Sequence, residues 1–120
     1  MVAQKTIEAY QEHKPRVTVV MPILYGADKR KLESEYIRQH VSEGLLFSAK
    51  RSKPGGVFVC EITRCYPGTL AKDTLSYATE HIRSAILLGL GIKDETETEV
   101  HWMLNQRRSQ RKEVIVCAWF

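Results

Sequence analysis

Apolar positions in the first half of the chain follow two different periods, which predict strands and helices in turn. The segment RVTVVMPIL at 16–24 is rich in β-branched residues, which predicts a first strand. Pro22 indicates that this strand stops nearby or lies at a sheet edge, because proline cannot donate to a strand ladder. The segment GVFVCEITRCY at 56–66 predicts a second strand, which ends at the turn-forming pair Pro67 and Gly68.

Two further segments have apolar residues at three- and four-residue steps, which predicts amphipathic helices. The first follows Asp28, a candidate N-cap, and is expected to stop at Gly44. The second is expected to begin at the N-cap Asp73 and to run through Gly89, with Gly91 as its stop signal. The expected core stripes are Leu32, Tyr36, Ile37, Val41 and Leu45 in the first helix, and Leu75, Ala78, Ile82, Ala85 or Ile86, and Leu90 in the second.

The two ends of the chain complete the predicted fold. Residues 100–104 and 113–120 both alternate, and the stretch NQRRSQR between them is predicted to be a loop that joins two antiparallel strands. Residues 1–15 carry mixed charge without a sustained period, and they are expected to form a helical or frayed arm. The order β-α-β-α-β-β over 16–120 predicts a single α+β domain, a two-layer sandwich with a mixed sheet and helices on one face.

Length and composition are those of an ordinary folded domain. The chain has 120 residues, of which 43% are hydrophobic and 27% charged, which excludes disordered and collagen-like classes. Its longest uncharged apolar run, 84–92, is far shorter than the ~18 residues that a membrane span needs, so a cytoplasmic protein is expected. Cys60 and Cys65 should point to opposite faces of a strand, and with Cys117 they are expected to be reduced, buried residues.

Positive charge is concentrated in three short stretches rather than spread along the chain. Eighteen Lys and Arg against 14 Asp and Glu give a net charge of +4, a mild excess that favours polyanionic partners. Each stretch is predicted to be a loop or a helix start, where flexible cations can reach phosphates, although plain solvated charge is the alternative. The candidate nucleic-acid-binding residues are Lys29, Arg30, Lys31, Lys50, Arg51, Lys53, Arg107, Arg108, Arg111 and Lys112.

Asp73 and Asp94 flank the second predicted helix. A straight helix of about 17 residues is ~25 Å long, so the residues alone favour Asp73 as an N-cap and Asp94 as a solvated turn residue. The four histidines are scattered without the spacing of a zinc site, and no Walker or Rossmann fingerprint is present. Spacing by itself therefore assigns no catalytic centre.

The segment DTLSYATEHIRSAILLGLGIKD at 73–94 resembles part of the RusA-like Holliday junction resolvases, small dimeric enzymes frequent in phages and prophages. Members typically read Asp-x-Asp-Asn-Leu, then a helix, then Leu-Gly-Ile-Asp-Asp before a strand. The resemblance covers 57–120, and the first half of the chain only in element order. The matching residues are Asp73, Leu75, Ala78, Arg83, Ile86, Leu90, Gly91, Ile92 and Asp94.

The resemblance implies a homodimer that binds branched or double-stranded DNA in recombination and repair. In active members, aspartates and Mg²⁺ hydrolyse phosphodiesters. On this resemblance Asp73 and Asp94 are the catalytic residues, and together with Glu95 they are the candidate metal ligands. Ala71 stands where the family has its first aspartate, and Thr74 where it has asparagine, so Mg²⁺-dependent hydrolysis is in doubt.

Two functional alternatives follow from the sequence. The first is a structure-selective DNA-binding protein, either a weak Mg²⁺-dependent endonuclease in which Glu95, Glu97 or Glu61 replaces the missing carboxylate, or a non-cleaving relative. The second is a small non-enzymatic interaction or inhibitory module that uses the basic loops and the aromatic C-terminus, Trp119 and Phe120. The first depends on the basic stretches forming one continuous surface.

Overall fold

The computed structural model describes residues 4–49, 57–92 and 98–120, which form one four-stranded sheet and three helices. The predicted α+β class and the order β-α-β-α-β-β are confirmed, with a short helix preceding the first strand. Within the described ranges, no helix is long and apolar enough to cross a membrane. The elements are α1 (Gln4–Gln11), β1 (Val17–Pro22), α2 (Lys29–Ala49), β2 (Val57–Tyr66), α3 (Lys72–Leu90), β3 (Glu99–Arg108) and β4 (Glu113–Trp119).

The sheet is mixed, with the strand order β1-β4-β2-β3. β2 pairs with β3 in parallel, whereas β4 pairs antiparallel with both β1 and β2. The predicted hairpin of the last two strands is therefore wrong, because β2 lies between them. Residues 105–108, predicted to be loop, extend β3 instead. The edge position predicted for the first strand from Pro22 is confirmed, and the strand ends at this residue.

The difference between β3 and β4 in polarity explains their places in the sheet. β4 reads EVIVCAW and is apolar on both faces, as a central strand requires, and Val114, Val116 and Ala118 are buried. β3 becomes polar after Leu104 and its last four residues are exposed, which suits an edge. The short connection 109–112 crosses the end of β2, where Ser109 N–H donates to the Tyr66 carbonyl at 3.1 Å.

The helices α2 and α3 cover one face of the sheet and run parallel to each other. Their contacts progress in the same direction along both helices, from Glu33 beside His81 to Val41 beside Gly89. Each helix follows a strand and leads to the next parallel strand, so each helix belongs to a crossover connection. The core under the helices contains Val17, Val19, Met21, Ile37, Val41, Phe58, Cys60, Ile62, Ile82, Ala85, Ile86, Leu90, Val114, Val116, Ala118 and Phe120.

The helix α2 departs from its predicted course at two points. It continues through Gly44 to Ala49, and a Cβ on Gly44 would lie 3.0 Å from a Val17 methyl group, so this glycine permits close packing on β1 rather than ending the helix. Leu32, predicted to be core, is 49% exposed, whereas the next residue, Glu33, is 5% exposed. The helix is thus rotated so that a carboxylate occupies a buried position.

The helix α3 begins earlier than predicted. Its N-cap is Ala71, which makes no side-chain capping bond, so the prediction of Asp73 as the N-cap is wrong. Asp73 instead lies exposed in the first turn, where a negative charge is favourable. The predicted stop at Gly91 is confirmed, because this residue is the C-cap with φ 74° and its N–H donates to the Leu88 carbonyl.

The other face of the sheet is partly covered by the N-terminal segment. Trp119 Nε1 donates to the His13 carbonyl at 2.9 Å, and Gln11 Nε2 donates to the Met103 sulfur at 3.4 Å. The N-terminal arm is therefore helical and is packed against the sheet. It contacts the face that α2 and α3 leave uncovered.

The cysteines are free, as predicted. Cys60 and Cys65 are buried, five positions apart on β2 and hence on opposite faces. Burial raises the pKa of the Cys60 thiol to about 12, which keeps it protonated and unreactive at neutral pH. Cys117 is only half-buried, contrary to the prediction that it is a buried residue.

We expect Gly89→Ala to destabilise the fold by about 1–3 kcal/mol, because the new Cβ would overpack the contact between the helices. It would lie 2.8 Å from the Arg38 carbonyl oxygen and 2.9 Å from Val41. Urea unfolding measures the loss, and Ser84→Ala on the exposed side of α3 is the matched control. Equal stability of the two variants would contradict the close approach of the helices.

Candidate nucleic-acid interface

The sheet topology brings two of the three predicted basic stretches to the same end of the molecule. The strands β1, β2 and β3 end there, and α2, α3 and β4 begin there. The segments 29–31 and 107–112 belong to this end, although they are far apart in sequence. We call it the cationic end, and its Lys and Arg residues are Lys29, Arg30, Lys31, Arg64, Lys72, Arg107, Arg108, Arg111 and Lys112.

A stack of aromatic and cationic side chains joins the parts of the cationic end. The Lys112 ammonium lies 5.5 Å from the ring centroids of both Tyr25 and Tyr66, and the Arg64 guanidinium lies 5.1 Å from the Tyr66 centroid. A hydrogen bond with Tyr25, together with charge interactions with Tyr25 and Tyr66, raises the pKa of Lys112 and keeps it cationic. Ile23 N–H donates to the Lys112 carbonyl at 2.9 Å, which fixes the backbone beneath the stack.

The start of α3 is fixed against the end of β3 by two side chains. Gln106 Nε2 donates to the Leu70 carbonyl at 2.6 Å, and its Oε1 accepts from Leu70 N–H at 2.8 Å. Arg108 Nε donates to the Pro67 carbonyl at 3.3 Å. These bonds hold the turn before α3, and with it the first turn of that helix, at the cationic end.

Intramolecular carboxylates do not neutralise the cationic end. Within the ranges that the structure describes, none of its Lys or Arg side chains forms an ion pair with Asp or Glu. Carboxylates are present there, but Asp28 and Asp73 are exposed beside the cations, Glu113 is half-buried, and Glu33 is buried. The cations thus outnumber the carboxylates, and their charge is available to an external anion.

A buried carboxylate and a histidine lie below the cationic end. Glu33 Oε1 is 2.8 Å from His81 Nε2, and Glu33 Oε2 accepts from Leu24 N–H at 3.2 Å. The pair lines a cavity of about 110 Å³ together with Lys29, Arg30 and Arg64. Sequence reasoning missed this pair because its members are 48 residues apart and match no spacing motif.

The predicted metal residues are not brought together in the described structure. Asp73 lies at the start of α3, a helix of 19 residues that is about 28 Å long, whereas Asp94 and Glu95 lie outside the described residues, as does Glu97. Glu61, another candidate, lies on the sheet face opposite α3 and accepts from Asn105 Nδ2 at 3.0 Å. No group of three potential metal ligands occurs among the side chains that the structure describes.

The third basic stretch and the terminal aromatics complete the predicted set. Lys50, Arg51 and Lys53 lie outside the described residues, so their part in a common surface stays a prediction.

The C-terminal aromatic residues are buried. Trp119 and Phe120 are each 7% exposed, and the ring centroids of Phe120 and Phe58 are 5.1 Å apart. These aromatic residues belong to the folded interior and leave little surface for the contact that the interaction-module alternative requires.

Comparisons of the chain with protein-family models, with curated proteins and with solved structures found no match.

We expect Glu33→Ala to lower the free energy of unfolding by about 1–3 kcal/mol, because Leu24 N–H and His81 Nε2 would lose a buried partner. Glu33→Gln should cost less, since the amide oxygen can still accept from Leu24 N–H. Urea unfolding at neutral pH compares both with Glu35→Ala, which removes an exposed carboxylate two residues further along α2. If the Ala and Gln variants at position 33 were as stable as the control, the buried pair would have no structural role.

Proposed function

We propose that the protein binds DNA through the cationic end, with a preference for branched structures, as its resemblance to RusA-type Holliday junction endonucleases implies. The observation that carries this proposal is the meeting of two basic stretches, 29–31 and 107–112, at one end of the sheet. The cations there have no ion pairs within the described structure, so neutralisation by phosphates would replace no intramolecular partner.

The side chains at this end suit contact with a phosphate backbone rather than with base edges. Except for the half-buried Arg64, they are exposed Lys and Arg residues near the starts of helices and the ends of strands, where they can reach phosphates. Tyr25 is 64% exposed beside Lys112 and offers a ring on which an unpaired base can stack. Such contacts favour DNA shape over sequence.

The proposal includes a homodimer. A two-fold axis would place two cationic ends in one assembly, which matches the symmetry of a four-way junction and doubles the electrostatic contact. Hydrolysis is a separate part of the proposal. It requires Mg²⁺ held by Asp73, Asp94 and Glu95, so a non-cleaving DNA-binding protein is the second form of the same function.

The DNA proposal predicts strongly salt-dependent binding. With four to six phosphates neutralised, the logarithm of affinity should fall against the logarithm of salt concentration with a slope of about −4 to −5. The triple variant Arg107→Ala, Arg108→Ala and Arg111→Ala should reduce the slope by up to about 3. Fluorescence anisotropy with a labelled duplex at several salt concentrations measures both values.

A matched control variant distinguishes the effect of where the positive charges lie from the effect of the protein's net charge. Lys5→Ala, Lys14→Ala and Arg38→Ala together remove the same charge from exposed sites outside the cationic end. We expect this control to keep the slope of the unmodified protein. An equal loss of slope in the two triple variants would mean that net charge, rather than the cationic end, determines binding.

Branch selectivity and cleavage are tested together on a synthetic four-way junction and a linear duplex of equal length. We expect tighter binding to the junction at physiological salt, with a dimer detected by analytical ultracentrifugation. If hydrolysis occurs, nicking should require Mg²⁺ and be lost in Asp73→Asn and in Asp94→Asn. Nicking that persists in both variants would exclude the carboxylate mechanism, and equal affinity for the two DNAs would favour the interaction module.

A further inference from the structure

A small cavity lies within the cationic end, between the two long helices and the sheet. It has a volume of about 110 Å³ and is lined by residues of α2, α3, β2, β4 and the segment that follows β1. We call it the α2–α3 pocket. Its charged lining residues are Lys29, Arg30, Glu33 and Arg64, with His81 beside them.

More positive than negative side chains line the α2–α3 pocket. Among the described residues that line it, three are cations and Glu33 is the one carboxylate. Both oxygens of Glu33 already have partners, Leu24 N–H and His81, and no described Lys or Arg lies within ion-pair distance of it. The pocket therefore has an excess of positive charge that its own carboxylate does not pair.

The pocket is large enough for a small anion. Its volume of about 110 Å³ has room for several water molecules and therefore for one phosphate group. Because five chain segments surround the space, a group with a single covalent substituent fits better than a phosphodiester that continues in both directions. Arginine supplies paired donors that match phosphate oxygens, and Arg64 and Arg30 come from different elements.

We infer that the α2–α3 pocket binds one phosphate group, either the terminal phosphate of a nucleic-acid strand or free phosphate. The inference rests on the proposed function only for the source of that phosphate. Glu33 opposes a fully ionised phosphate, so its carboxylate limits the affinity of the site, and Glu33→Gln removes the repulsion while keeping the shape.

Inorganic phosphate is the first probe, titrated into the protein at constant ionic strength and followed by amide chemical shifts. We expect saturable shifts at Leu24 and in the first turn of α2. Arg64→Gln and Arg30→Gln should each weaken binding about tenfold, and Glu33→Gln should strengthen it several-fold. Arg30 is exposed, so its variant keeps the test valid if the Arg64 variant folds poorly.

Arg107→Gln is the matched control, because Arg107 belongs to the cationic end but does not line the pocket. It should leave phosphate binding unchanged. Equal weakening in the Arg107, Arg64 and Arg30 variants would show diffuse attraction and overturn the site, as would linear, non-saturating shifts.

The source of the phosphate is tested with one DNA hairpin, prepared with and without a 5′-phosphate. Tighter binding of the phosphorylated hairpin, lost in Arg30→Gln, supports the terminal phosphate. Saturable inorganic phosphate binding with no difference between the hairpins supports free phosphate. DNA binding without a phosphate site would overturn this inference and leave the proposed function standing. A phosphate site without DNA binding would overturn the proposed function and leave this inference standing.

Discussion

The arrangement of the whole sheet depends on the pairing of β4 with both β1 and β2. Without β4, the first strand would have no partner, since β1 and β2 are not neighbours. The strand is apolar on both faces, and its burial supplies a large part of the core. The start of β4 is equally important, because it lies beside the ends of β1 and β2 and so places Lys112 beside Tyr25 and Tyr66.

Local patterns in the sequence predicted the helices and strands well, but they predicted less well which strands are neighbours in the sheet. The apolar steps of α3 and the stop at Gly91 follow from interactions within a few residues, so both were predictable. The position of β4 depends on contacts with β1, almost 100 residues earlier in the chain, and with β2, whereas a short basic connection is equally compatible with a hairpin. Polarity was the available signal, because the strand that is apolar on both faces takes the central position.

The candidate site shows the same limit. Basic stretches are visible in the sequence, but their meeting at one end required the order and direction of the strands. The burial of Glu33 in place of Leu32 was unpredictable, because a one-residue rotation of α2 depends on the partners that β1 and α3 provide. His81 illustrates the point, since an isolated histidine becomes informative only when its neighbour across the fold is known.

The parallel course of α2 and α3 has a consequence for the electric field around the molecule. Peptide dipoles add along a helix, and each N-terminus carries about half a positive elementary charge. Because both helices begin at the same end of the sheet, their two fields add there instead of cancelling. This contribution belongs to the backbone, so it remains after any substitution of the exposed lysines and arginines that leaves the two helices intact.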